Sequence, residues 1–158
     1  MFEIHFNKHL LQTFKMSTTE DQQKQQLKTY NGSCHCKAIT YEAEMDLSQG
    51  TGKCNCSICF KSRNWIAFIK DVNQFKLLTG KEMLGNYQFG KKTCTHHFCK
   101  ACGVRVYLYG NMGNFDFICL NVPTIDNLSQ KEFSELTIKC SNGASDDFYN
   151  QPEFFSHL

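Results

Sequence analysis

The sequence has only two prolines and one tryptophan, and Lys, Asn, Gln and Gly interrupt every hydrophobic segment. No run therefore approaches the roughly 18 apolar residues that a membrane-spanning helix needs. An excess of charge of one sign is also absent, because 17 basic and 15 acidic residues give a net charge of +2 and the basic residues are scattered. Nucleic-acid-binding proteins typically carry a clustered basic face. We therefore expect a soluble protein with neither a membrane nor a nucleic acid as its partner.

The first 28 residues contain no glycine, proline or cysteine and end in a polar run, which predicts a polar, flexible tail at 1–28. This tail lacks the apolar stretch and small-residue cleavage site of a secretory signal, so a cytoplasmic location is expected. Mitochondrial targeting is the less favoured alternative, because the tail contains no arginine. The remainder divides into a β domain at 29–145 and an aromatic-rich segment at 146–158, which could be a short helix or a tail.

Cysteine is abundant, and seven of the ten cysteines fall into three tight clusters. A disulfide scaffold is not favoured in a chain without a secretory signal, so these clusters indicate metal binding. A structural zinc site uses four ligands in a tetrahedron. Seven thiols thus predict one closed four-thiolate site and one three-thiolate site with an open position. The clusters are Cys34-His-Cys36, Cys54-Asn-Cys56-Ser-Ile-Cys59 and Cys99-Lys-Ala-Cys102.

The spacing within the last cluster is that of a zinc knuckle, since two intervening residues let Cys99 and Cys102 face one metal ion. Two more ligands must come from elsewhere, and Cys34 and Cys36 form the available pair. The middle cluster could instead supply these partners, and spacing alone leaves both pairings open. No fourth protein ligand is evident for the middle cluster, because histidines beside a knuckle more often form hydrogen bonds than coordinate metal. Three isolated cysteines are assigned no chemistry: Cys94, Cys119 and Cys140.

Beyond the tail the hydrophobic pattern is that of β-strands. Short alternating or apolar segments are bounded by Gly, Asn or Pro, as turns require. No sustained helical period is present, so an all-β fold of stacked antiparallel sheets with zinc-binding loops is expected. Strands are predicted at 39–45, 65–69, 75–80, 85–90, 104–110, 115–122 and 136–139.

Five motifs, in this order along the chain, resemble those of the glutathione-dependent formaldehyde-activating enzyme family, which includes centromere protein V. The resemblance extends from about Tyr30 to Asn142. One departure is Lys37, because the family usually has glycine after the second cysteine. The motifs are Gly32-Ser-Cys-His-Cys36, Cys54-Asn-Cys-Ser-Ile-Cys59, Phe75-Lys-Leu-Leu-Thr-Gly80, Tyr87-Gln-Phe-Gly90 and His96-His-Phe-Cys-Lys-Ala-Cys-Gly103.

The resemblance implies an all-β fold and two zinc ions, one structural and one catalytic. By analogy, the structural ion is held by Cys34, Cys36, Cys99 and Cys102. The catalytic ion is held by Cys54, Cys56 and Cys59. The activity implied is a carbon–sulfur lyase reaction on an adduct of glutathione, or another thiol, with an aldehyde, such as formation of S-hydroxymethylglutathione from formaldehyde. The thiolate sulfur would be presented to the aldehyde carbon.

Three residues after the middle cluster are candidates for binding this thiol. Lys61 and Arg63 could contact a glutathione carboxylate, and Trp65 could form an apolar wall. The main alternative function is a non-catalytic, zinc-binding interaction module similar to centromere protein V. That role usually accompanies a long basic or proline-rich extension, which this tail is not. A zinc-ribbon methionine sulfoxide reductase is less favoured, because Cys119 and Cys140 lie in no recognisable motif for it.

Overall fold

The computed structural model describes residues 26–158. The predicted tail and its possible targeting role therefore lie almost entirely outside the described residues. The described chain forms ten strands and two short α-helices, joined by loops and 3-10 turns. The strands are β1 (Lys28–Ser33), β2 (Thr40–Met45), β3 (Thr51–Cys54), β4 (Ile66–Ile69), β5 (Phe75–Thr79), β6 (Leu84–Tyr87), β7 (Cys94–Cys99), β8 (Arg105–Asn111), β9 (Asp116–Asn121) and β10 (Ile138–Ser141). The helices are α1 (Ser57–Ser62) and α2 (Gln130–Glu135).

The strands form two stacked sheets. A three-stranded sheet has the order β1-β2-β5, and a seven-stranded sheet has the order β10-β3-β4-β9-β8-β7-β6. The all-β prediction is thus confirmed, but the expectation of purely antiparallel sheets is wrong in one place. Strand β10 pairs in parallel with β3 over four residue pairs, from Ile138 opposite Thr51 to Ser141 opposite Cys54.

The core lies between the two sheets and is bridged by aromatic rings. Phe75 of the smaller sheet contacts Tyr41 at a ring-centroid distance of 5.5 Å and Tyr107 of the larger sheet at 4.6 Å. In β2 the alternating pattern buries Tyr41, Ala43 and Met45, because successive side chains of a strand point to opposite faces. Each large apolar side chain buried in this way contributes about 1.5–3 kcal/mol.

The sequence patterns predict most strands within a few residues and miss three. Strands β1, β3 and β7 are short or rich in polar residues, so they lack the alternation that marks a strand in sequence. The predicted segment at 136–139 is shifted relative to β10 (Ile138–Ser141). The segment 146–158 contains no helix and is irregular. No helix in the described part of the chain is long and apolar enough to cross a membrane.

His96 of β7 is a buried histidine without hydrogen bonds to its ring among the described residues. It is 3% exposed, and neither ring nitrogen has a hydrogen-bond partner among the described residues. Its ring stacks on Phe89 at a centroid distance of 5.6 Å. Burial lowers the pKa of His96 to about 4, because the charged imidazolium would lose its hydration.

We predict that His96 makes the protein less stable in acid. Between about pH 6.5 and pH 4 the unfolded chain takes up a proton at this residue that the folded chain does not, so the free energy of unfolding falls as the pH falls. His96→Phe removes the titrating group and keeps the ring stack. The stability of the variant relative to wild type should therefore increase by about 2 kcal/mol between pH 7.5 and pH 4.5. Denaturant unfolding at both pH values measures this difference, and an unchanged difference would contradict the prediction.

Candidate metal centres

The structure brings the first and third cysteine clusters together. The four sulfurs of Cys34, Cys36, Cys99 and Cys102 all lie within 4.8 Å of one another. Cys36 Sγ is 3.6 Å from Cys34 Sγ and 3.7 Å from Cys99 Sγ. A tetrahedron with metal–sulfur bonds of about 2.3 Å has edges of about 3.8 Å, so the sulfurs fit a zinc ion. These four cysteines could hold a metal between the two sheets.

Two tight turns position these sulfur atoms. After β1, the Lys37 amide donates to the Cys34 carbonyl at 2.9 Å, and after β7 the Gly103 amide donates to the Cys99 carbonyl at 2.8 Å. Lys37 and Gly103 each follow a cysteine, and both have a left-handed backbone conformation, with φ of 60° at Lys37 and 73° at Gly103. Backbone amides also point at the sulfurs, as in known metal knuckles. Donation from Cys36 and Val104 lowers the pKa of Cys102 to about 6.

The middle cluster forms a second group of three sulfurs, again within 4.8 Å of one another. Cys54 ends β3, Cys56 caps the N-terminus of α1, and Cys59 lies one helical turn further on. Residues three apart on a helix share a face, so the sulfurs of Cys56 and Cys59 point the same way. Asn64 is buried, and its Nδ2 donates to Cys59 Sγ at 3.8 Å.

The three thiols of this cluster differ in the direction in which their pKa values are shifted. Hydrogen bonds from Cys56 and Cys59 lower the pKa of Cys54, whereas the interaction with Cys54 raises the pKa of both donors. A second negative charge at such short range is unfavourable without a cation. The three sulfurs can form one face of a tetrahedral metal site, and no fourth protein ligand joins them in the described part of the chain. The arrangement is that of an open rather than a closed site.

A cavity of about 50 Å³ opens beside these thiols. Of the three residues predicted to bind the substrate, only Arg63 lines it. Lys61 is exposed at the end of α1. Trp65 packs into the interior, where its ring contacts Phe133 and its Nε1 donates to Thr51 Oγ1 at 2.7 Å. A substrate contact by any of the three stays a prediction.

The structure adds three polar residues that the sequence reasoning did not select. Lys53 and Asn64 line the cavity. Arg105 has a buried Nη1 without a hydrogen-bond partner among the described residues. Burial lowers its pKa, and the negative charges of Cys59 and Cys56 act in the opposite direction, so its guanidinium lies within electrostatic reach of the thiols. Lys53 directly precedes Cys54 in the sequence, so it could have been selected as a candidate site residue. No signal in the sequence connects the distant Arg105 to this site.

Comparison with known proteins agrees with this geometry. The model of the glutathione-dependent formaldehyde-activating enzyme family matches residues 29–140. The chain belongs to this family. A crystal structure of a protein from Rhodobacter sphaeroides is also similar: its TM-score is 0.59 and its sequence identity is 25%. The alignment covers 69% of this chain and 99% of that one.

The family resemblance leads us to expect a glycine at the position of Lys37, and the backbone there gives a physical reason for that expectation. Lys37 has a φ of 60°, a region in which a side chain costs about 1 kcal/mol and glycine does not. Glycine is also more flexible in the unfolded chain, and this entropy offsets part of the stability gained when the strain at Lys37 is removed.

We predict that Lys37→Gly stabilises the protein by about 0.5 kcal/mol, because relief of strain exceeds the added entropy of the unfolded chain. The melting temperature should rise by about 2 °C. Lys100→Gly, in the other cysteine turn but outside the left-handed region, is the matched control and should lower the melting temperature. A fall of equal size in both variants would contradict the strain at Lys37.

We also predict different consequences of removing a sulfur from the two groups. Cys99 is fully buried between the sheets, so Cys99→Ser should lower the melting temperature by more than 10 °C, as loss of a structural metal does. Cys56→Ser alters the open group and should remove one metal ion per chain with little loss of folding. Circular dichroism melts and elemental analysis of the same samples measure both effects. An equal loss of stability in Cys99→Ser and Cys56→Ser would contradict the prediction that only the four-thiol group stabilises the fold.

Proposed function

We propose that this protein is a zinc-dependent carbon–sulfur lyase that forms and breaks the bond between glutathione and formaldehyde, with S-hydroxymethylglutathione as the adduct. The observation that supports this most directly is the open group of three thiols beside a cavity with basic residues. A closed structural site would not need such a cavity. Family membership favours glutathione and formaldehyde among possible thiols and aldehydes.

The proposal requires two zinc ions with different tasks. Cys34, Cys36, Cys99 and Cys102 would hold the structural ion, and their four sulfurs would complete its coordination. The second ion would be held by the other group, namely Cys54, Cys56 and Cys59. Soft thiolate ligands favour zinc over hard cations such as Mg²⁺, which agrees with both assignments.

Zinc in the open group would bind the substrate thiol and lower its pKa below the value near 8.5 of a free thiol, so that the sulfur is a thiolate at neutral pH. The contribution of the protein is the number and the type of the ligands, namely three cysteine thiolates. Three thiolate ligands donate more charge than three imidazoles would, which leaves a bound sulfur nucleophilic. In the proposed reaction this sulfur would attack the aldehyde carbon to form the carbon–sulfur bond, and the aldehyde oxygen would take up one proton, in place of the one that the thiol released, to give the hydroxymethyl group.

Residues around the group keep it in place. Asn64 donates to Cys59 Sγ at 3.8 Å, and the Cys56 amide donates to Cys54 Sγ at 3.4 Å. These bonds hold the sulfurs of Cys54 and Cys59 in place, and the remaining lone pairs would be available to a metal. The buried charge of Arg105 offsets the excess negative charge that a substrate thiolate adds.

The test is the exchange of formaldehyde between its hydrate and its glutathione adduct, measured by NMR exchange spectroscopy at equilibrium. This method separates catalysis from the spontaneous reaction, which is recorded without protein. We expect exchange well above the spontaneous rate with wild type. Cys56→Ser should reduce exchange to the spontaneous rate, because its site no longer holds zinc.

The control variant is Cys94→Ser, which changes a cysteine outside both sulfur groups and should retain exchange. Zinc content is determined on each sample. Wild type that contains two zinc ions per chain but exchanges formaldehyde only at the spontaneous rate would exclude the proposed reaction. That result would favour the interaction-module alternative.

A further inference from the structure

A second cavity lies at the opposite end of β3 from the thiols. Its volume is about 290 Å³, close to the lower bound of the roughly 300–1,000 Å³ that small-molecule pockets usually measure. Thr137 lines it, and the Thr137 carbonyl accepts from the amide of Thr51, the first residue of β3, at 2.8 Å. Cys54 is the last residue of that strand, so about 10 Å of strand separates the second cavity from the three-thiol group.

The lining of the second cavity combines apolar and acidic side chains. Its apolar residues belong to the core or pack against it, namely Leu47, Leu128 and Leu136. Its charged residues are Lys28, Asp46, Glu132 and Glu135. Three carboxylates and one ammonium give the lining a net charge of −2. A ligand that complements this lining is a cation with an apolar part.

Tyr30 supplies a polar group without a partner in the described part of the chain. The residue is 8% exposed and lines the second cavity, and its hydroxyl forms no hydrogen bond there. The buried hydroxyl of Tyr41, in contrast, is 2.9 Å from Thr124 Oγ1. Burial, followed by the negative charges of Glu132 and Asp46, raises the pKa of Tyr30, so its hydroxyl lies within electrostatic reach of both carboxylates. A buried tyrosine hydroxyl usually has a partner, and here the open space beside it can hold one.

The positions of the carboxylates favour an organic cation over a metal ion. In residues 26–158 only the two cysteine groups bring three or more potential metal ligands within 4.8 Å of one another. The acidic residues of the second cavity are thus too far apart to surround one ion together. Glu135 is also paired with Lys131, at 3.8 Å. A metal ion would in addition gain nothing from the apolar part of the lining.

The available oxygens favour an ammonium over a guanidinium group. Glu132 Oε2 accepts from the amide and the hydroxyl of Ser129, at 2.8 and 2.7 Å, which leaves Oε1 free among the described residues. Both oxygens of Asp46 already accept from nearby residues, so Asp46 contributes charge rather than an acceptor. A guanidinium pairs best with two oxygens of one carboxylate, whereas the three donors of an ammonium can point to separate acceptors. Glu132 Oε1 and the Tyr30 hydroxyl are two such acceptors.

We propose that the second cavity binds a primary alkylammonium group, which donates to Glu132 Oε1 and the Tyr30 hydroxyl and lays its alkyl chain against the three leucines of the lining. Free aliphatic amines and lysine side chains share this chemistry. The site is independent of the proposed reaction, because none of the seven clustered cysteines lines it.

The first experiment compares probes of equal chain length. Calorimetric titration of the zinc-loaded wild type with pentylamine should show saturable binding that weakens as salt is added, because the attraction is electrostatic. Pentanol lacks the charge and pentylguanidine replaces the ammonium, so each should bind about tenfold more weakly. Equal binding of pentylamine and pentanol would overturn the proposal. Nα-acetyl-lysine methylamide separates the two sources: binding as tight as that of pentylamine supports a lysine side chain, and weaker binding supports a free amine.

The second experiment changes the polar groups and keeps the fold. Glu132→Gln should weaken pentylamine binding about tenfold, and it retains the capping box with Ser129, because glutamine also serves at this position. Tyr30→Phe should weaken binding about threefold without lowering the melting temperature, because its hydroxyl has no partner in the fold to lose. Lys28→Met removes the competing cation and should strengthen binding about threefold. Unchanged binding in all three variants would reject the site.

Asp46→Asn has a matched control. Asp46 and Asp71 each precede a 3-10 turn and accept from the amide two residues further on, at 3.0 Å in both cases. Asparagine serves equally well in such a cap. Asp46→Asn should weaken pentylamine binding about threefold, whereas Asp71→Asn, outside the second cavity, should leave it unchanged. An equal effect of the two substitutions would contradict the assigned role of Asp46.

The Cys56→Ser variant separates the second cavity from the metal centres, since an amine could instead bind at a zinc ion. We expect this variant to bind pentylamine as tightly as wild type. Loss of binding would place the amine at the metal and reject the second cavity as its site. Normal pentylamine binding by a wild type that fails to exchange formaldehyde would reject the proposed reaction and leave the alkylammonium site supported.

Discussion

Four sulfurs from two different sheets lie within 4.8 Å of one another, and this constraint determines much of the remaining structure. Ionised thiols at such distances repel one another unless a cation lies among them. Cys36 and Cys99 are 63 positions apart in the sequence, so a metal that joins them closes a long loop. The free energy of binding must exceed the entropy cost of this closure. Such a metal would fix the end of β1 to the end of β7 and keep the two sheets stacked.

The open three-thiol group depends on a different contact. Strand β3 carries Cys54 and has a single registered pair with β4, Gly52 with Ile66, but four with β10. Its position is therefore set mainly by β10, a strand from near the end of the described chain. The same pairing leads the segment after β10 past the thiols. Placement of the sulfurs and enclosure of the cavity thus follow from one parallel pairing.

The cysteine spacings carried most of what the sequence could predict about the site, because ligand geometry is a local property of a few residues. The strand patterns were less complete. Strand β7 reads Cys-Thr-His-His-Phe-Cys, without the apolar alternation of an ordinary strand, since its stacking with Phe89 and Tyr107 uses histidines. Arg105 could not be recognised, because the contacts that bring it to the thiols join distant parts of the chain, whereas Lys53 directly precedes Cys54 in the sequence.

The negative charge of the thiols gives a reason for basic residues to gather at this site, although the basic residues of the chain are otherwise scattered along the sequence. A zinc ion with three thiolates has one net negative charge, and a substrate thiolate adds a second. Negative charge in a partly buried site requires nearby compensation, or the thiols retain their protons. Arg105 supplies one positive charge from the interior, while Lys53 and Arg63 lie at the cavity surface. The buried cation favours ionised sulfur, and the two outer cations add positive charge at the rim of the cavity, where each also donates to a main-chain oxygen.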